Sequence, residues 1–108
     1  MMHLKLDHRT IAMRGAAKLP GSVGQFKDRD CLIEVLVGQS AQQQADTLLH
    51  EIMHAVWATR AFPPTMTEED CCTRMASGLA TVIRDNPLLI REIILALTEN
   101  MPLFEQAD

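Results

Sequence analysis

His50-Glu51-Ile52-Met53-His54 is the stretch on which the reading of this chain turns. Two histidines four residues apart leave an α-helix on the same side, one turn apart, so their imidazoles can converge on a single tetrahedral Zn²⁺. Glu51 lies between them and off their axis, where a carboxylate can take a proton from a water polarised by the cation. The pattern HExxH therefore points to metal-assisted hydrolysis of a peptide bond, with His50 and His54 as ligands and Glu51 as general base. Three residues at this spacing also arise by chance, so the rest of the chain must support them.

Working outward, Ser40 followed by Gln43 forms a capping-box start. Ala45, Leu48, Leu49, Ile52 and Val56 then make an apolar stripe, with His50, His54 and Trp57 roughly opposite it. The pattern predicts a helix over 40–62, stopped by Pro63-Pro64. Upstream, residues 1–38 read as strands and loops. His3 to His8 alternate polar and apolar, Thr10 to Met13 continue that strand, and Gly15, Pro20, Gly21 and Gly24 mark a loop. Cys31 to Val37 is the clearest strand, with Cys31, Ile33, Val35 and Val37 on one face and Gly38 ending it.

Downstream, Thr67 with Glu68, Glu69 and Asp70 is a strong helix start, and the helix runs over 67–85. Its expected inner stripe is Cys72, Ala76, Leu79, Ala80 and Ile83, which extends back to Glu69; Asp70, Arg74 and Thr81 fall on the polar side. Asn86-Pro87 opens a third helix over 87–100, with Leu89, Ile90, Ile93, Ile94 and Leu97 inward and Leu88 and Leu95 outside. Together with Pro102-Leu103-Phe104, this is more apolar surface than a small domain readily covers. It suggests a homo-oligomer or protein-partner contact through the C-terminal helix and tail, unless the tail folds back over Leu88 and Leu95. The fold expected is α+β, one domain over 1–108. A small antiparallel sheet of two to three strands packs on the HExxH helix, with two further helices.

The 108 residues and 47% hydrophobic content suit one core with little surplus stability. A net charge of −4 without a basic run argues against nucleic acid or an anionic membrane as partner. No segment approaches a membrane span and no signal core opens the chain, which points to the cytoplasm. Cys31, Cys71 and Cys72 are an odd set, read as reduced thiols and small core residues.

A catalytic zinc needs a third protein ligand and an open position. The metzincin continuation is absent, since Ala55 to Arg60 follow His54 without the required glycine and histidine. The gluzincin pattern takes an acid from a second helix instead; by phase Glu69 is the first choice, Glu68 the second and Asp70 the third. If all three merely cap a helix, none should be buried.

The run His50-Glu51-Ile52-Met53-His54-Ala55, a short loop, and an acid-led helix containing Ala76-Ser77-Gly78-Leu79-Ala80 and Arg84-Asp85-Asn86-Pro87 resemble the small phage- and prophage-type HExxH proteins. These are minimal zincin-like gluzincins, similar to ImmA/IrrE-like peptidases, and the likeness covers residues 31–87. It implies a zinc metallopeptidase acting on a protein or peptide, with His50, His54 and Glu69 as ligands and Glu51 as base. It also implies that the strand before the HExxH helix, at Ile33, Glu34 and Val35, lies at a sheet edge and pairs with extended substrate.

The chain departs from that pattern in lacking tyrosine, so an oxyanion would fall to His3, His8, Arg74 or the metal. The competing functions are a non-catalytic, metal-stabilised phage structural or accessory module, and a metal-free helical adaptor.

Overall fold

The computed structural model describes residues 2–108. Four strands, β1 (Met2–Leu6), β2 (Arg9–Ala16), β3 (Gly24–Lys27) and β4 (Leu32–Leu36), precede three helices, α1 (Ala41–Arg60), α2 (Glu68–Asp85) and α3 (Pro87–Glu99). The α+β class and the three helices are as expected, but the sheet is larger and mixed. Its order is β1-β2-β4-β3, with β1/β2 and β4/β3 antiparallel and β2/β4 parallel.

Two turns that the alternation pattern concealed explain the extra strands. Residues 3–13 are a hairpin, not one strand, because Asp7 takes a φ of 55° and reverses the chain between Leu6 and Arg9; Asp tolerates that conformation better than most residues. Cys31, expected in a strand, sits at φ 47° in the turn from β3 into β4, where its N–H donates to Asp28 O at 3.2 Å. β3 starts at Gly24, the last residue of the stretch read as loop, and continues through residues given no assignment from the sequence.

This topology corrects the edge-strand expectation. β4, with Ile33, Glu34 and Val35, lies inside the sheet, with β2 on one side and β3 on the other. Its backbone groups are therefore taken on both sides, and no peptide can add to it. The edges are β1 and β3. On β1, the Asn86 amide imitates a neighbouring strand: Lys5 N–H donates to Asn86 Oδ1 and Asn86 Nδ2 donates to Lys5 O, both at 2.7 Å. That leaves β3 as the more open edge.

One face of the sheet, carrying Leu4, Leu6, Ile11, Met13, Ile33 and Val35, packs against the helices. From α1 come Ala45, Leu48, Ile52, Ala55 and Val56, and from the others Val82, Leu89, Ile93 and Ala96. Each large side chain buried here contributes about 1.5–3 kcal/mol. The stripes of α2 and α3 are rotated from expectation. Cys72, Ala76, Ala80 and Ile83 are exposed, while Gly78, Thr81 and Val82 are buried and Cys71 and Met75 half-buried. The cause is Gly78: a β-carbon there would stand 2.5 Å from Val56 Cγ1, so α1 and α2 meet at the glycine, not at Ala76 and Ala80. On α3, Ile94 and Leu97 are exposed and Ala96 is buried instead.

The tail folds back, though not over Leu88, which is 75% exposed. Gln44, buried in α1, receives the N–H groups of Leu103 and Phe104 on Oε1 and donates from Nε2 to Val37 O and Phe104 O, at 2.8–3.0 Å. Phe104 is thereby seated in the core. Gln44→Ala leaves three tail backbone groups unpartnered and opens a void, so a loss of about 2–4 kcal/mol is expected by urea unfolding. In a chain ending at Asn100 the same substitution should cost far less.

On the open face, the side chain of Glu34 is held by Gln25 (2.6 Å), Arg14 (3.1 Å) and Lys27 (3.3 Å). Burial pushes its carboxyl up, but the hydrogen bonds from Gln25, Arg14 and Lys27 outweigh that and hold it below its ordinary 4.5. A depressed folded-state pKa stabilises above the unfolded value and is lost as pH falls through the folded one. Unfolding free energy of the wild type should therefore fall below about pH 4.5 more steeply than that of Glu34→Gln.

Candidate metal centre and groove

α1 starts as expected, with Ser40 and Gln43 in a reciprocal capping box. Its phase buries Leu48, Ile52 and Ala55 and leaves His50, His54 and Trp57 on the surface. The two imidazoles meet there, with Nε2 atoms 3.1 Å apart and rings at 75°. Two nitrogens on one tetrahedral zinc, at about 2.0–2.1 Å each, stand roughly 3.3 Å apart. The bite thus fits a divalent cation, although an N–H···N hydrogen bond between neutral rings has the same length.

Glu51 points away from the open side, towards β3, and is only 6% exposed. Room for it exists because residue 24 is glycine. A β-carbon on Gly24 would collide with Thr47 Cγ2 and lie 3.3 Å from Glu51 Oε2. The carboxylate is therefore wedged between α1 and the edge strand, beside the histidines.

The third ligand is not assembled: among the described residues no three His, Cys, Asp or Glu side chains form a metal-binding group. Glu68, Glu69 and Asp70 are all exposed, as the capping explanation expects, and Thr67 Oγ1 accepts from Asp70 N at 3.1 Å. The phase argument for Glu69 is overturned, since it shares the exposed side of Cys72 and Ala76. The half-buried residues Cys71 and Met75 project back to Glu68 instead. Of the oxyanion candidates, Arg74 is committed elsewhere, donating to the carbonyls of Arg60 (2.9 Å) and Ala61 (2.8 Å) at the end of α1. His3 lies on β1, at the sheet edge opposite β3, and His8 in the turn beside it.

Three recesses meet at the motif. One of about 240 Å³ is bounded by Ser22, Gly24, Asp46, Thr47, His50 and Glu51. Another, about 290 Å³, lies among His50, Met53, His54, Trp57 and Met75. The last, about 360 Å³, joins Phe26 and Asp28 of the β3 side to Glu51, His54 and Trp57. They form a groove along the exposed side of α1, with β3 bordering the first and third recesses and Met75 of α2 the second. Sequence reasoning missed it, because β3 was not assigned and the inner stripe expected for α2 left Met75 out. A hollow of about 390 Å³ between the start of α1 and the tail is instead a packing seam around the fully bonded Gln44.

β3 offers its edge to that groove. Val23 O accepts from Leu36 N at 2.9 Å, so alternate residues face β4, and Gly24 and Phe26 turn their backbone groups outward. The N–H and C=O of Gly24 are both bonded to Ser22 Oγ, which leaves Phe26 to face the open side. Comparison with known proteins gives no match to any family model, curated protein or solved structure.

Because Thr47 Cγ2 is the first obstacle, Gly24→Ala should destabilise by about 1–3 kcal/mol in thermal or urea unfolding. Adding Thr47→Ser, which deletes that methyl, should recover most of the loss. Additive effects would place the strain elsewhere.

Proposed function

We propose that the chain is a zinc-dependent peptidase, and the observation carrying this reading is the 3.1 Å imidazole pair set beside the wedged carboxylate of Glu51. His50 and His54 would hold the ion, with an acid from the start of α2 as third ligand. The corrected phase of that helix favours Glu68 over Glu69. When bound, zinc supplies a Lewis acid that polarises the scissile carbonyl, acidifies water and offsets the oxyanion charge.

The remaining tasks belong to the chain. An extended peptide would add to the open edge of β3 through the backbone of Phe26, a role moved here from β4. Glu51, held on the β3 side of the histidines, would flank both the attacking water and the scissile bond, leaving the water in direct reach of the carbonyl carbon. It takes the water's proton and returns it to the leaving amine. Burial against Gly24 keeps its carboxylate from swinging in solvent. Among the described residues no helix is long and apolar enough to cross a membrane.

A second reading, a non-catalytic metal-stabilised interaction module, draws on the apolar side chains exposed along and after α3: Leu88, Ile94, Leu97 and Met101. A partner or second copy could cover them.

Metal analysis should find about one zinc per chain, lost in His54→Ala. Glu51→Gln should keep zinc and fold while peptide cleavage drops by about 10²-fold or more, and Glu68→Ala should weaken zinc more than Glu69→Ala. Zinc retained in wild type and Glu51→Gln with no cleavage by either would favour the interaction module.

A further inference from the structure

The groove along the exposed side of α1 differs in chemistry between its two ends. At one end Asp46 stands one turn before His50 and shares a recess with Glu51, and among the described residues its side chain has no hydrogen bond or ion pair. No lysine or arginine lines that recess. At the other end, on the α2 side of His50 and His54, the walls are the thioethers of Met53 and Met75 and the indole of Trp57.

Trp57 is 48% exposed, yet it is held in place. Its ring stacks on Phe62 at 4.1 Å and 9°, and Phe62 is itself buried. The turn that brings Phe62 back under Trp57 depends on Ala61 at φ 52°, whose carbonyl, with that of Arg60, is tied down by Arg74. A pinned aromatic facing two adaptable methionines presents a rigid wall opposite a soft one, which suits large apolar side chains of varied shape.

We propose that this groove selects an extended peptide bearing a basic side chain at the Asp46 end and a large apolar side chain at the Trp57 end. The assignment of the bond between them as scissile rests on the peptidase reading above; the binding preference does not. The pairing follows from charge complementarity with an unpartnered carboxylate and from burial of apolar surface. Positions 46 and 57 are eleven residues apart, about 16 Å along a helix. That span corresponds to roughly four to five residues of extended chain, with the histidine pair near its middle.

Trp57 is the sole tryptophan and the chain has no tyrosine, so intrinsic fluorescence reports from the recess itself. The test is titration of the Glu51→Gln protein with alanine-based decapeptides carrying one Arg and one Leu, four or five residues apart, in both orders. One order should change Trp57 emission saturably and bind at least tenfold more tightly than peptides with Glu for Arg or Ser for Leu. Asp46→Asn, a surface change, should erase the Arg-over-Glu preference and leave the Leu-over-Ser preference intact. Absence of any emission change, equal binding of Arg and Glu peptides, or an undiminished charge preference in Asp46→Asn would overturn the proposal. Selective binding without cleavage by wild type would sink the peptidase reading alone, whereas cleavage indifferent to both side chains would sink the groove assignment alone.

Discussion

α1 can hold His50, Glu51 and His54 beside an open strand edge only because two of its neighbours lack a β-carbon. On the sheet side Gly24 lets the helix come down until Thr47 and Glu51 touch the strand, and on the other flank Gly78 lets α2 close on Val56. In a core packed at crystal-like density a single added methyl must displace something, so both contacts constrain the rotation of the helix. That rotation decides which side chains reach the groove. With it set, the imidazoles stay on the surface, the carboxylate is wedged inward, and Met75 becomes the residue that α2 presents to the site.

Buried polar groups do the second part of the positioning. The Asn86 amide pairs with Lys5 and also donates to Val82 O at 2.9 Å, so the α2–α3 junction is fastened to the far edge of the sheet. Gln44 does the same for the tail at the start of α1. Each side chain satisfies backbone groups that would otherwise be stranded, at a cost of about 1–3 kcal/mol apiece. The result is asymmetric: one sheet edge is occupied by an amide, while the other borders the histidine pair.

This asymmetry gives the peptidase and groove proposals a common physical basis. A strand edge, a two-nitrogen bite and a carboxylate are each ordinary features. Placed together along one face of α1, with a free acid at one end and a pinned indole at the other, they offer a peptide both backbone and side-chain contacts.

What the sequence determined alone is everything that depends on neighbours within one turn or one strand. The α1 capping box, the exposed phase of His50, His54 and Trp57, the three helices near their true limits, and the β-branched run through Val35 were all legible, because local periodicity and capping act over a few residues. The order of the strands was not, since it hangs on Asp7 and Cys31 taking positive φ, which any sequence with those residues permits but none announces. The inner faces of α2 and α3 were also hidden. Their small and apolar residues run most of the way round, so periodicity allowed several phases and only contact with α1 at Gly78 selected one. The side of α2 that faces the histidines, the edge strand and the groove all depend on those two choices, which are made between elements far apart in the chain and therefore only in the folded molecule.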